Sequence, residues 1–228
     1  MTNKLFPLLQ LSDSNFPSGA FSHSFGLETY IQELVITDKK SFAQAISVYI
    51  RRQLAYVDGL ASRLALEALE QNCFADFLEL DHILYASSLA EETRLGNQRI
   101  GERMGKLCNE LYPSTFLKQY IDHIKEKQAY GHSALVFAAV AHHLEMSKEV
   151  AVKTYLFAAV SSLVQNGVRG IPLGQTDGQK LLVEVQPLFE EIVTIIFKLS
   201  KEDLGAVSPG LEVAQMRHER LHVRLFMS

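Results

Sequence analysis

Apolar residues return at every fourth position along almost the whole chain, and this spacing constrains the fold more than any single motif. Phe42, Ile46, Ile50 and Leu54 fall on one face of a 3.6-residue helix. Leu60, Leu64 and Ala68 repeat the pattern, and Phe77, Asp81 and Tyr85 continue it with Leu80 and Leu84 alongside. Period-two alternation, the mark of a half-buried strand, is confined to the late stretch LHVRLF. Breaks at Asn15-Phe16-Pro17, Asp58-Gly59, Tyr112-Pro113, Tyr130-Gly131, Gly170-Ile171-Pro172 and Ser208-Pro209-Gly210 divide the rest into about eight to ten helices. Ser114, Ser133 and Ser147 stand where N-caps are expected. The helix from Asp177 is expected to break or kink near Pro187, whose ring removes an N–H and crowds the preceding turn. The expected fold class is all-α, a single-domain helical bundle over residues 1–228.

A chain of 228 residues can bury a substantial core. The net charge of -4 argues against a general nucleic-acid binder, which carries a basic surplus. Cys73 and Cys108 form no CxxC pattern and read as reduced, packed thiols. The longest apolar run, ALVFAAVA from Ala134 to Ala141, is far short of the roughly 20 residues a membrane span needs. No basic-then-apolar leader pattern is seen, so the expected location is the cytoplasm.

The stretch SDSNFPSGAFSHSFGLETY, Ser12 to Tyr30, gathers serines, glycines, a proline and His23 between apolar segments. It holds no Gly-Lys-Ser/Thr, so it is no phosphate loop. It lacks G-x-S-x-G and a preceding strand, so it is no nucleophile elbow. A turn capping a helix from about Gly19 is expected, with Phe21 and Phe25 at i and i+4 making one stripe. In RLGNQRIGERMG, Arg99 and Arg103 make a basic face, and Gly101 and Gly105 allow another helix to approach. NGVRGIPLGQTDGQ reads as a glycine-rich connector in which Arg169 can reach a phosphate or carboxylate, with Asp177 nearby.

HERLH, His218 to His222, matches H-E-x-x-H, in which two histidines share a helix face and the Glu acts as base. A metal-dependent hydrolase using His218, Glu219 and His222 is therefore one alternative. Only six residues follow the motif, which leaves almost no room for a downstream third ligand. A helical adaptor for an unrelated GTPase is another alternative. No catalytic set, resident metal site or cofactor motif is assigned.

LLQLSDSNFPSGAFSHSFGLE, GIPLGQTDGQKLL and LEVAQMRHERLHVRLFMS together resemble the UreF family of urease accessory proteins, in order and essentially end to end. Departures are Ala20, where the family often has a second glycine, and His222, which is not a family position. The resemblance implies a non-enzymatic, all-helical homodimer. It implies binding to a UreD-type (UreH) accessory protein, recruitment of the nickel-carrying GTPase UreG, and delivery of nickel to apo-urease. Partner contacts are then expected at Phe21, His23, Arg99, Arg103, Arg169, Asp177, Arg217, His218, Glu219, Arg224 and Phe226. The tail, residues 209–228, is expected to be loosely packed until a partner orders it, with Leu221, Leu225 and Phe226 as anchors.

Overall fold

The computed structural model describes residues 4–206 and 208–228. The first half of the chain forms α1 (Leu5–Ser12), α2 (Leu27–Gln32), α3 (Lys39–Tyr49), α4 (Gly59–Glu70) and α5 (Phe74–Ser87). The second half forms α6 (Glu91–Leu111), α7 (Thr115–Lys125), α8 (Ser133–His143), α9 (Lys148–Gly170), α10 (Gln175–Ile196) and α11 (Pro209–His218). There is no strand among the described residues, so the all-α expectation holds. Residues 1–3 and 207 of the expected domain lie outside the described residues.

The run that is too short for a membrane is instead the centre of the core. Ala134 to Ala141 are all buried in α8, as expected of a helix that is apolar all round. Helices α4 and α6 pack against it, and α7 and α9 close its flanks. Helices α9 and α10 form the second large contact, joined by the short link after Gly170. Ser114 and Ser147 cap α7 and α9 by accepting from Leu117 N and Val150 N.

Four expectations of local structure are corrected. No break occurs at Asp58-Gly59, because a π-helical stretch, Ile50–Asp58, joins α3 to α4 as one rod. Gly59 has helical dihedrals there. A Cβ on it would lie 2.6 Å from Ile196 Cδ1, so this glycine serves close packing rather than a turn. Helix α10 runs unbroken through Pro187. The carbonyl that Pro187 cannot serve belongs to Val183, which is 63% exposed, so water can satisfy it. Helix α8 is capped by His132, not Ser133: His132 Nδ1 accepts from Ala134 N at 3.2 Å. Helix α9 persists through the expected connector to Gly170, which puts Arg169 in its last turn.

Gly101 behaves as its spacing suggests, although a turn and not a helix axis comes closest. A Cβ there would be 2.5 Å from Gly131 C and His132 N, at the entry to α8. Gly105 leaves ordinary van der Waals room to Ile121 and Val136.

Candidate partner interface

The opening stretch does not continue as a helix past Phe21. A single 3-10 turn, Ala20–Ser22, is followed by extended backbone at His23. Phe25 has φ +51° and Gly26 φ +90°, both left-handed, so the turn cannot propagate. Phe21 and Phe25 therefore do not share a helical stripe. Phe21 is 48% exposed, whereas Phe25 packs against the core.

The end of the chain lies along this stretch. Met227 N donates to Ser22 O at 2.8 Å, and the Ser228 main-chain oxygen accepts from Ser24 N at 2.6 Å and Phe25 N at 3.1 Å. Ser24 Oγ donates to the same oxygen, and His23 Nδ1 lies 2.8 Å from Ser228 Oγ. Asn166, buried in α9, donates from Nδ2 to His23 O at 2.8 Å. Three segments far apart in sequence thus meet at one place.

Beneath them is a buried acid. Glu28 is 1% exposed and accepts from Leu225 N at 2.6 Å and Phe226 N at 3.1 Å. Its Oε2 also lies 2.9 Å from His218 Nε2, and His218 Nδ1 lies 2.8 Å from Glu92 Oε2. Each ring nitrogen lies within hydrogen-bond distance of a carboxyl oxygen. Arg224 donates to Glu92 at 2.5 Å and closes the network. The hydrogen bonds from His218 and Arg224 hold the Glu92 carboxyl below its ordinary range against the opposing effect of burial, the largest single influence on it.

These contacts overturn the loosely packed tail. His218, Phe226 and Ser228 are buried, and main-chain bonds hold 225–228 to the opening stretch. Leu225 is 57% exposed and is no buried anchor in this chain. Helix α11 ends at His218, so His218 and His222 do not share a helix face and the zinc-protease geometry is not formed.

Above the network the surface is aromatic and cationic. Arg169 donates to Phe21 O at 3.3 Å. Its guanidinium lies 4.0 Å from the centroid of Phe21 and 5.1 Å from that of Phe226, within cation–π range of both. On α6, Arg99 and Arg103 are exposed close by. Burial first, then Arg99, Arg103 and His218, push the His23 imidazole down to about 4, with Glu92 opposing. At neutral pH His23 is therefore uncharged. Its contact with Ser228 looks like a serine–histidine pair, but at 3% and 1% exposure the two leave a substrate no approach.

A family model, UreF, matches residues 36–186. The urease accessory protein UreF of Bacillus sp. (strain TB-90) is 70% identical over 226 residues, covering 99% of this chain and 100% of that protein. The proteins of the same name from Geobacillus kaustophilus and Lachnoclostridium phytofermentans are 55% and 50% identical, over 99% and 100% of this chain and 98% and 100% of their own lengths. The chain belongs to the UreF family.

Within this UreF-family chain, the residues singled out by sequence divide into three groups. Phe21, Arg99, Arg103, Arg169, Arg217, Glu219 and Arg224 are exposed. Of these, Arg217 pairs with Glu33 at 3.2 Å, and Glu219 caps the end of α11. His23, His218 and Phe226 are buried in the single chain, where they tie the tail to the body. Asp177 sits in the first turn of α10, where it makes a loose ion pair to Lys180 at 3.9 Å. Sequence reasoning missed Glu28, Glu92 and Asn166, which organise the cluster. The one available signal was Glu28 standing among apolar residues at the start of a helix.

Proposed function

We propose that this UreF-family protein is a non-enzymatic scaffold of urease maturation. In this reading it works in the cytoplasm as a homodimer and binds a UreD/UreH-type accessory protein. The pair recruits the UreG-type GTPase and supports nickel insertion into the urease apoprotein. Nickel is cargo of the pathway here, not a resident cofactor. Family membership supports the pathway. The observation that carries the site is the convergence of the family-like segments on one surface, with Arg169 held between Phe21 and Phe226. A guanidinium fixed in this way presents its remaining donors to a carboxylate or phosphate without a large ordering cost.

The test is a pull-down from cells expressing the urease accessory set, with nickel and GTP varied. Co-purification with the UreD-type protein, and capture of the GTPase by that pair, is expected. Failure to associate with any of the set sinks the reading. For the homodimer, Phe21 is placed near the two-fold contact, and Phe21→Asp is expected to put a charge into an apolar contact. A soluble variant that stays fully dimeric with unchanged stability rejects that placement.

A further inference from the structure

The opening segment roofs a cavity of about 120 Å³. It lies between the π-helical stretch, α6, α8 and α9. Tyr49, Gln53, Leu54 and Asp58, spaced along that stretch, line one wall. Stretches of π-helix are rare and are found disproportionately at functional sites.

The lining has one sign of charge. Asp58 lies in the wall and Asp13 at the rim, and no Lys, Arg or His lines the cavity among the described residues. Tyr155 Oη donates to Asp58 at 3.2 Å and lies 3.0 Å from Ser133 Oγ. His132, whose charge acts on Asp58, is itself pushed below its ordinary range by burial, with Asp58 and Asp81 opposing. Burial likewise pushes the Asp58 carboxyl up, against the opposing effects of His132 and of hydrogen bonds that include those from Tyr155 and Gln53. Thr93 adds an independent observation: it lines the cavity, is 6% exposed, and its hydroxyl has no hydrogen-bond partner. A buried hydroxyl left in that state costs about 1–3 kcal/mol unless something else satisfies it. Aromatic rings make up much of the remaining wall, Phe16, Phe25 and Phe137 with the two tyrosines.

We propose that this cavity binds a small organic ammonium ion, with Asp58 as its countercharge and the aromatic rings around its alkyl body. A carboxylate plus aromatic faces is the chemistry that recognises a desolvated ammonium, and a few convergent polar groups in an apolar pocket are the usual form of a small-molecule site. A divalent metal ion is disfavoured because the lining carries only two carboxylates, Asp58 and the exposed Asp13, and no group of three or more His, Cys, Asp or Glu that could hold a metal occurs among the described residues.

The full chain is titrated with n-butylammonium chloride, n-butanol and calcium chloride at matched ionic strength. Amide shifts at Thr93, Asn97 and Ser133 and the melting temperature are followed. Saturable shifts and a concentration-dependent rise in melting temperature are expected with butylammonium only. Asp58→Asn should weaken binding at least about tenfold, or roughly 1.4 kcal/mol. Thr93→Val should weaken it several-fold while leaving the free protein as stable or more so, because it removes an unpartnered hydroxyl. Equal binding of butanol, binding of calcium alone, or an indifferent Asp58→Asn overturns the proposal. If Asp58→Asn does not fold, Thr93→Val decides, and unchanged affinity there overturns it.

Discussion

The two ends of the chain are held in opposite ways. The last residues lie over a buried polar network in which Glu28 accepts from Leu225 N and Phe226 N and lies 2.9 Å from the His218 ring. Helix α1 at the other end buries little more than Leu11 and leaves Leu5, Phe6 and Leu9 at 54%, 66% and 56% exposure. Its tethers are solvent-facing, such as Lys4 Nζ to Glu145 O at 2.7 Å. The charged end is thus the fixed one and the apolar end is loosely covered. Apolar composition does not decide which segment a fold holds; satisfied, desolvated hydrogen bonds do, because leaving them unmade is costly.

The sharpest way to break this comparison is Glu28→Ala. It removes the acceptor for two main-chain N–H groups and leaves His218 buried against one carboxylate instead of two. Breaking a buried pair on one side costs roughly 3–5 kcal/mol. Urea unfolding should show that loss, with faster amide exchange at 225–228 before global unfolding. A loss under about 1 kcal/mol would mean the tail is loosely held after all.

The next effect is pH-dependent. His23 titrates at about 4 in the folded chain against an ordinary 6.5, held down by burial and then by Arg99, Arg103 and His218, with Glu92 opposing. The unfolded chain therefore binds the extra proton between these values. The stability is fully present above pH 6.5, falls as the pH drops toward 4, and levels off below that. The full difference corresponds to roughly 3 kcal/mol, part of which solvent screens, so about 1–3 kcal/mol should be lost over this window, and His23→Asn should flatten that part of the profile. A profile identical in the variant would remove His23 from the account.

The helices are legible because apolar spacing is local: the runs Phe42–Leu54, Leu60–Ala68 and Phe77–Tyr85 are helical as their period predicts, whereas the Phe21/Phe25 spacing is not. The misreadings come from residues with two uses. Asp58-Gly59 reads as a break and Asn166 to Gln179 as a connector, yet Gly59 admits Ile196, and a Cβ on Gly167 would lie 2.1 Å from Phe42 Cζ. Glycine marks either a turn or a tight contact, and only the packed neighbour distinguishes them. At the Glu28–His218 cluster the participating segments are legible as compositional oddities, but their wiring is not. Glu28 and His218 are 190 positions apart, and Glu28 and Phe226 are 198 apart. No periodicity carries such a pairing, so the tail, rich in arginine, looked unanchored.

Arg169→Ala sharpens the comparison at the surface of the same network. It deletes the bond to Phe21 O and both ring contacts but leaves the Glu28 cluster intact. An exposed cation–π contact is worth about 0.5–1 kcal/mol. The melt should therefore shift slightly while capture of the GTPase by the scaffold pair weakens clearly. Unchanged capture makes Arg169 a local brace and nothing more.

The smallest effect belongs to the other end. Phe6→Ala removes a ring that is already 66% exposed from a helix that buries mainly Leu11. The lost burial is minor, and alanine is the better helix former by a few tenths of a kcal/mol. The two terms nearly cancel, so urea unfolding should change by less than about 0.5 kcal/mol in either direction. Leu11→Ala, in the same helix but 4% exposed, should cost about 2–5 kcal/mol. That internal control separates the helix from its outer face. If Phe6→Ala instead costs more than about 1 kcal/mol, and the cost grows with protein concentration, the outer face of α1 is covered by a second copy of the chain. The contrast between the two ends would then hold for the single chain but not for its assembly, because the face left open in one copy would be buried by the next.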